Sequence, residues 1–90
     1  MTAAHVIDRT REYIIENFLY MRRDLVLGEG DLLLERGIID SMGVMELVAF
    51  IEEQFGVAVG DDDVTEQNLG SLGAIGAFVS ARKASGVKVA

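Results

Sequence analysis

Gly37-Ile38-Ile39-Asp40-Ser41-Met42 is the stretch that decides the fold, together with the periodic segment that follows it. Two apolar residues lead into a short polar break, and the periodicity then predicts a helix from about Ser41 to Phe55, ending at Gly56. Apolar residues in this segment recur at i, i+3, i+4, i+7 and i+11, the spacing of one buried helix face. They are Val44, Leu47, Val48, Ile51 and Phe55.

A second apolar stripe lies on the same predicted helix, offset from the first by two residues, or about 200°. It consists of Met42, Met45 and Ala49. Three acids are interleaved with it, namely Glu46, Glu52 and Glu53. Because this stripe lies nearly opposite the first one, core packing does not explain it. The pattern favours an outward surface that binds a partner.

The motif and the Glu-rich helix after it resemble the modification site of acyl and peptidyl carrier proteins. The usual motif of that family is Asp-Ser-Leu, a few residues after a glycine. Met42 stands where Leu is common, a change that keeps volume and apolar character. The resemblance extends over residues 7–79, nearly the whole chain.

The resemblance implies that the Ser41 hydroxyl receives phosphopantetheine from coenzyme A through a phosphodiester. The flexible arm ends in a thiol that carries an acyl group as a thioester, and so supplies the sulfur that a chain without Cys lacks. The resemblance also implies that Asp40 contacts the phosphopantetheinyl transferase that installs the arm. It further implies a partner-binding helix face formed by Met42, Met45, Glu46, Ala49, Glu52 and Glu53.

Length and composition bound the remaining possibilities. Ninety residues make a single small domain, 1–90, which buries only roughly 60–65% of its unfolded surface. The net charge of −7 disfavours nucleic acid as a partner and favours basic protein surfaces. No apolar run reaches about 18 residues, so no membrane span is expected. Charges near the N-terminus argue against a signal peptide, and a cytoplasmic monomer is expected.

The segments on either side of the motif predict more helices. Thr2 can cap a first helix to about Tyr20 or Met21. Its apolar face is Ile7, Ile14 and Phe18, with Ile15 and Leu19 beside it. Residues 22–40 form a long connection with a turn at residues 28–31. In that connection, residues 32–34 are expected to form a helical turn that plugs the core, closed by Gly37.

After the central helix, Val57 and Val59 are expected to enter the core. A short helical turn is predicted from Gly60 to about Glu66, and a core anchor at Leu69. A last helix, capped by Ser71, should run to about Lys83, weakened by the glycines at positions 70, 73 and 76. Its apolar face is Leu72, Ile75, Phe78 and Val79. Residues 86–90 should form a frayed tail.

These elements predict an all-α fold with three longer helices, one short helix and a long first loop. The pattern alone would suit other small bundles equally, and the resemblance selects the small four-helix bundle of the carrier proteins. Either Ser41 or Asp40 could also cap the central helix.

Catalysis and metal binding are not expected. A serine hydrolase needs a base near the serine, but the only histidine, His5, lies near the N-terminus, and no Gly-x-Ser-x-Gly motif surrounds Ser41. The acids at residues 61–63 lack the spacing of a calcium loop and suit a helix start.

The sequence therefore predicts a freestanding acyl or aminoacyl carrier protein without catalytic activity. Its partners would be a phosphopantetheinyl transferase, an acyl-activating ligase or synthase, and downstream enzymes of fatty acid or secondary metabolite biosynthesis. The Ile-Ile pair before Asp-Ser looks nearer to standalone carriers that serve adenylating ligases, including aminoacyl carriers. The alternative is an unmodified helical adaptor that binds a partner through Met42, Met45 and Ala49.

Overall fold

The computed structural model of the chain describes residues 2–19 and 26–85. Within these residues there are four α-helices and no strand, which confirms the predicted small helical bundle of three longer helices and one short helix. The helices are α1 (Ala3–Phe18), α2 (Ser41–Phe55), α3 (Glu66–Leu69) and α4 (Leu72–Ser85). The predictions for Tyr20, Met21, Leu25 and the tail 86–90 lie outside the described residues.

The first helix begins as predicted, with the Thr2 hydroxyl accepting the His5 backbone N–H at 3.2 Å. It ends at Phe18, and Leu19 is its C-cap. The buried face lies slightly to one side of the predicted one. Its buried members are Val6, Ile7, Thr10 and Ile14, whereas Phe18 is half-buried and Ile15 is 41% exposed.

Helix α2 has the predicted bounds. Its last residue is Phe55, and Gly56 is its C-cap. The φ of Gly56 is 68°, in the left-handed region, and its N–H donates to the Glu52 carbonyl at 3.0 Å. The predicted core stripe faces inward: four of its residues are buried and Val44 is half-buried. Met42 and Met45 are 80% and 61% exposed, so the second stripe faces outward as predicted.

Helices α1 and α2 run antiparallel. At one end Phe18 lies against Gly43, and at the other the Arg9 guanidinium donates to the Gln54 amide oxygen at 3.2 Å. Between these contacts the rings of Tyr13 and Phe50 stack, with centroids 4.1 Å apart. The end of α1 is therefore placed beside the start of α2.

Helix α4 packs across α1 through a glycine. A Cβ atom at Gly76 would lie 2.9 Å from Cγ1 of Ile7, so a larger residue would require the Ile7 side chain or one of the helices to shift. We expected Gly76 only to weaken the helix, but α4 continues through it to Ser85, two residues past the predicted end. The helix is capped as predicted, because the Ser71 hydroxyl accepts the Ala74 N–H at 3.2 Å.

The first loop packs down on the bundle. The Leu33 N–H donates to the Gly70 carbonyl at 2.8 Å, and the Gly73 N–H donates to the Glu29 carbonyl at 2.9 Å. These bonds tie the loop to the α3–α4 junction. Of the three leucines expected to plug the core, only Leu33 is buried, and Leu34 is 51% exposed. Gly37 has a φ of 70°, in agreement with its predicted turn role.

The segment after α2 differs from the prediction in one respect. The single helical turn expected from Gly60 to Glu66 is two elements, a 3-10 turn at Asp61–Asp63 and helix α3. The break falls at Thr65, whose backbone is extended and whose hydroxyl caps α3 by accepting the Asn68 N–H at 3.2 Å. The predicted core positions of Val57 and Leu69 are confirmed, and Val59 is half-buried.

Side chains from α4 hold the 3-10 turn in place. The Arg82 guanidinium pairs with the Asp63 carboxylate at 2.7 Å and donates to the Ala58 carbonyl at 3.3 Å. The second Asp63 oxygen accepts the Gly60 N–H at 2.9 Å. Asp63 therefore stabilises the fold. The part of the chain that is described contains no cluster of acids and histidine suited to a metal ion. Nor does any helix in it have the length and apolar character to cross a membrane.

The two faces of α2 should respond differently to truncation. We expect Ile51→Ala to lower the free energy of unfolding by about 2–5 kcal/mol, because Ile51 is fully buried. Met45→Ala should change it by less than about 0.5 kcal/mol. Urea melts of both variants measure the difference. Equal losses would mean that the Met45 side chain belongs to the core.

Candidate functional site

The start of α2 is fixed by Asp40. Its backbone is extended, and its carboxylate Oδ1 accepts the Gly43 N–H at 2.7 Å. This is N-cap geometry, in which a side-chain oxygen satisfies one of the free N–H groups of the first turn. Of the two residues that could cap the helix, the structure therefore selects Asp40.

Ser41 is the first residue of α2 and is exposed. Because Asp40 caps the helix, the Ser41 hydroxyl has no hydrogen-bond partner among residues 2–19 and 26–85. The N–H groups of Ser41 and Met42 are likewise unpaired in that part of the chain, and a helix N-terminus with free N–H groups favours an anion. A phosphodiester on the Ser41 oxygen fits this environment.

The only histidine of the chain, His5, does not lie near Ser41. His5 lies in the first turn of α1, and the far end of that helix is the part that contacts α2 near Ser41. Thirteen residues of helix separate His5 from Phe18, a distance of about 20 Å. His5 is therefore too far from Ser41 to activate its hydroxyl as a nucleophile.

The three acids of α2 lie in different environments. Glu46 and Glu53 are exposed, and neither has a hydrogen bond or ion pair within the described part of the chain. Glu52 is half-buried, and its carboxylate accepts the Val59 N–H at 3.0 Å. Glu52 thus stabilises the segment after α2, a role that the sequence analysis did not foresee. Its predicted part in partner binding stays a prediction.

The outward residues of α2 border a groove along α1. This groove is lined by Tyr13, Asn17, Glu46, Ala49, Phe50 and Glu53. Burial raises the pKa of the Tyr13 hydroxyl, and the nearby negative charge of Glu46 raises it further. The Glu46 carboxylate is therefore close to the α1 side of the helix. The predicted partner-binding face did not include Tyr13, Asn17 or Phe50. The pattern of α2 alone does not show which helix lies beside α2.

Two hollows lie beside the first half of α2, one toward α3 and one toward α1. The α3-side cavity has a volume of about 100 Å³. Its lining is mostly apolar and includes Leu33, Ile39, Val44, Leu47, Val64 and Leu69. The α1-side groove is larger, at about 340 Å³, and includes Phe18, Ile38, Asp40, Met42, Gly43 and Glu46. Residues 39 and 44 line the first hollow and residues 40 and 42 line the second, so both lie near the start of α2.

Gly43 allows the close packing at this end of the bundle. A Cβ atom there would lie 2.8 Å from Cε1 of Phe18 and 2.9 Å from Cγ2 of Ile39. Sequence reasoning missed this residue. The available signal was a glycine in the first turn of a helix, which costs about 1 kcal/mol relative to Ala and therefore needs a packing reason.

Comparison with protein families agrees with the motif. Residues 24–79 match the family model described as phosphopantetheine attachment site. The match spans more than half of the chain and contains Ser41 and helices α2 and α3. A search of curated proteins finds no significant match.

The free energy of unfolding of two variants can show which of Asp40 and Ser41 caps α2. Asp40→Ala should lower the free energy of unfolding by about 1 kcal/mol, because the Gly43 N–H loses its acceptor. Ser41→Ala should change it by less than about 0.5 kcal/mol, since its hydroxyl makes no hydrogen bond within residues 2–19 and 26–85. Asp40→Asn, which keeps a capping oxygen, is the matched control. A larger loss for Ser41→Ala than for Asp40→Ala in urea melts would assign the cap to Ser41.

Proposed function

This chain belongs to the phosphopantetheine attachment family, whose members carry that group covalently, and we propose that Ser41 is the attachment residue. The observation that carries the proposal is the free, exposed Ser41 hydroxyl at the start of α2, beside a cap formed by another residue. The arm supplies a terminal thiol, which holds an acyl or aminoacyl group as a thioester. The protein then acts as a substrate shuttle without catalysis of its own.

The cargo we propose is short, either a small acyl group or an aminoacyl group. The α3-side cavity of about 100 Å³ is smaller than the 150 Å³ of an engineered apolar cavity that admits benzene. A cavity of this size would not enclose a long aliphatic chain, so we propose that the α3-side cavity does not shield one. Its partners would be a phosphopantetheinyl transferase, an acyl-activating ligase or synthase, and the enzymes that receive the cargo.

The alternative function is an unmodified adaptor that binds a partner through Met42, Met45 and Ala49. The exposure of both methionines supports a binding surface in either case. What favours the carrier is the match of residues 24–79, which includes the motif at Ser41 as well as the helix after it. The two functions differ in whether the serine is modified.

Modification should occur at Ser41 alone. Incubation of the protein with coenzyme A and a phosphopantetheinyl transferase should raise the intact mass by one phosphopantetheine group, and Ser41→Ala should abolish that gain. Ser71→Ala is a control that leaves the modification unchanged. A wild-type chain that gains no mass supports the adaptor. A mass gain that persists in Ser41→Ala contradicts the assignment of the residue.

The exposed acids should steer the transferase. Reversal of Glu46 and Glu53 to Lys should slow modification by about tenfold or more, because both carboxylates are exposed and unpaired among the described residues. Added salt should slow the wild type through screening. Asp62→Lys, an exposed reversal in the 3-10 turn, is the charge control. Modification rates that ignore both salt and the double reversal would rule out steering by these acids.

A further inference from the structure

The two hollows beside Ser41 differ in size and chemistry in a way that assigns them different roles. Ligand sites in proteins usually enclose about 300–1,000 Å³. The α1-side groove, at about 340 Å³, reaches this range, whereas the α3-side cavity, at about 100 Å³, does not. We propose that the α1-side groove is a resting site for the pantetheine part of the arm. The proposal rests on attachment at Ser41.

The chemistry of the groove matches the chemistry of the arm. Pantetheine combines two amides and a hydroxyl with a carbon that bears two methyl groups, so it needs hydrogen-bond acceptors next to apolar surface. Phe18, Ile38 and Met42 supply the apolar surface of the groove. The carboxylates of Asp40 and Glu46 supply acceptors for amide and hydroxyl protons. The α3-side cavity has a mostly apolar lining and offers few such acceptors.

The acceptors of the groove are available. Asp40 uses one carboxylate oxygen to cap α2, and its second oxygen makes no hydrogen bond within residues 2–19 and 26–85. In the same part of the chain, neither oxygen of Glu46 is paired. A charged acceptor strengthens a hydrogen bond from an amide. These two residues can therefore hold the arm without breaking any bond of the fold seen in that part of the chain.

The position of the α1-side groove along α2 also suits an arm attached at Ser41. Asp40 and Met42, the neighbours of Ser41 in the chain, both line the groove, so it lies within reach of an arm attached at Ser41. At its other end Glu46 belongs to both this groove and the one that ends at Glu53. From Met42 to Glu53 is about 16 Å along the helix axis. An arm that follows α2 along α1 thus keeps contact with a continuous surface.

The position of the arm can be observed directly in the modified protein. Phosphopantetheine labelled with carbon-13 is attached by the transferase, and nuclear Overhauser effects are measured between the arm and the protein. We expect contacts from the paired methyl groups of the arm to the Phe18 ring and the Met42 methyl group. Contacts to the Val64 and Leu69 methyl groups, or no contacts with the protein, overturn the proposal.

A matched pair of variants tests the acceptors. Glu46→Gln removes a charge from the α1-side groove, and Glu66→Gln removes one from the border of the α3-side cavity. We expect Glu46→Gln to weaken the arm contacts and Glu66→Gln to leave them unchanged. The reverse result, or equal contacts in both, overturns the role of Glu46. Amide spectra of both variants verify that each is folded.

Failure of this inference is distinguishable from failure of the proposed function. If the wild-type protein gains no mass, there is no arm, and both the carrier function and the resting site are wrong. If the mass rises and the arm makes no contact with the α1-side groove, only the resting site is wrong.

Discussion

The hydrogen bond from the Gly43 N–H to the Asp40 carboxylate is the constraint on which the functional end of this bundle depends. It fixes where α2 begins, and so makes Ser41 the first helical residue. It also fills the capping position, so that the Ser41 hydroxyl is not needed as the cap of α2. The donor of this bond is a glycine, whose missing side chain lets Phe18 and Ile39 pack against the same turn. One short turn therefore positions the serine, the helix terminus and the wall of a groove.

The first loop completes this arrangement from the other side. Two backbone hydrogen bonds tie it to the α3–α4 junction, one from Leu33 to Gly70 and one from Gly73 to Glu29. Leu33 and Ile39 then line the α3-side cavity, while Gly37 and Ile38 line the α1-side groove. Adjacent residues of one loop thus separate the two hollows. The described part of this loop, residues 26–40, is held both by backbone hydrogen bonds and by buried apolar side chains.

Periodicity predicted well those features that one helix determines by itself. The bounds of α2, its buried stripe and its exposed methionines follow from residues within one segment, so the pattern contains them. It could not show that Glu52 bonds to the Val59 backbone, because that contact depends on how the chain returns after Gly56. Nor could it show the break at Thr65, where a side-chain cap competes with a continuous turn.

In the candidate site, too, the sequence predicts what one segment determines and not what depends on tertiary contacts. Ser41 and Asp40 were identified from the motif, but which of them caps the helix is a matter of geometry that either residue type satisfies. The grooves were not predicted, since their walls come from two helices that are far apart in the sequence. Phe18 and Tyr13 looked like ordinary members of an apolar face and a helix surface. Their role appears only once α1 is seen to run antiparallel to α2.

Four aromatic rings pack against one another where α1 and α2 meet. Tyr13 stacks on Phe50 at 4.1 Å between centroids and meets the Phe18 ring edge-on at 6.0 Å. Phe50 in turn meets Phe55, which is buried, edge-on at 5.8 Å. These contacts connect the α1-side groove, and the groove that continues from Glu46 to Glu53, to the core. A preformed site requires little ordering of the protein when a ligand binds.

An arm that settles on such a surface still loses the freedom of its many single bonds, and each ordered rotor opposes binding. The contacts that the α1-side groove offers are two carboxylates and three apolar side chains, of which Met42 is exposed and Ile38 is buried. The entropy lost by the arm offsets much of the free energy of these contacts, so we expect the arm to bind weakly. A partner enzyme can then remove the arm from the groove at small free-energy cost. A carrier needs that property, because a thioester that is held tightly cannot reach the next active site.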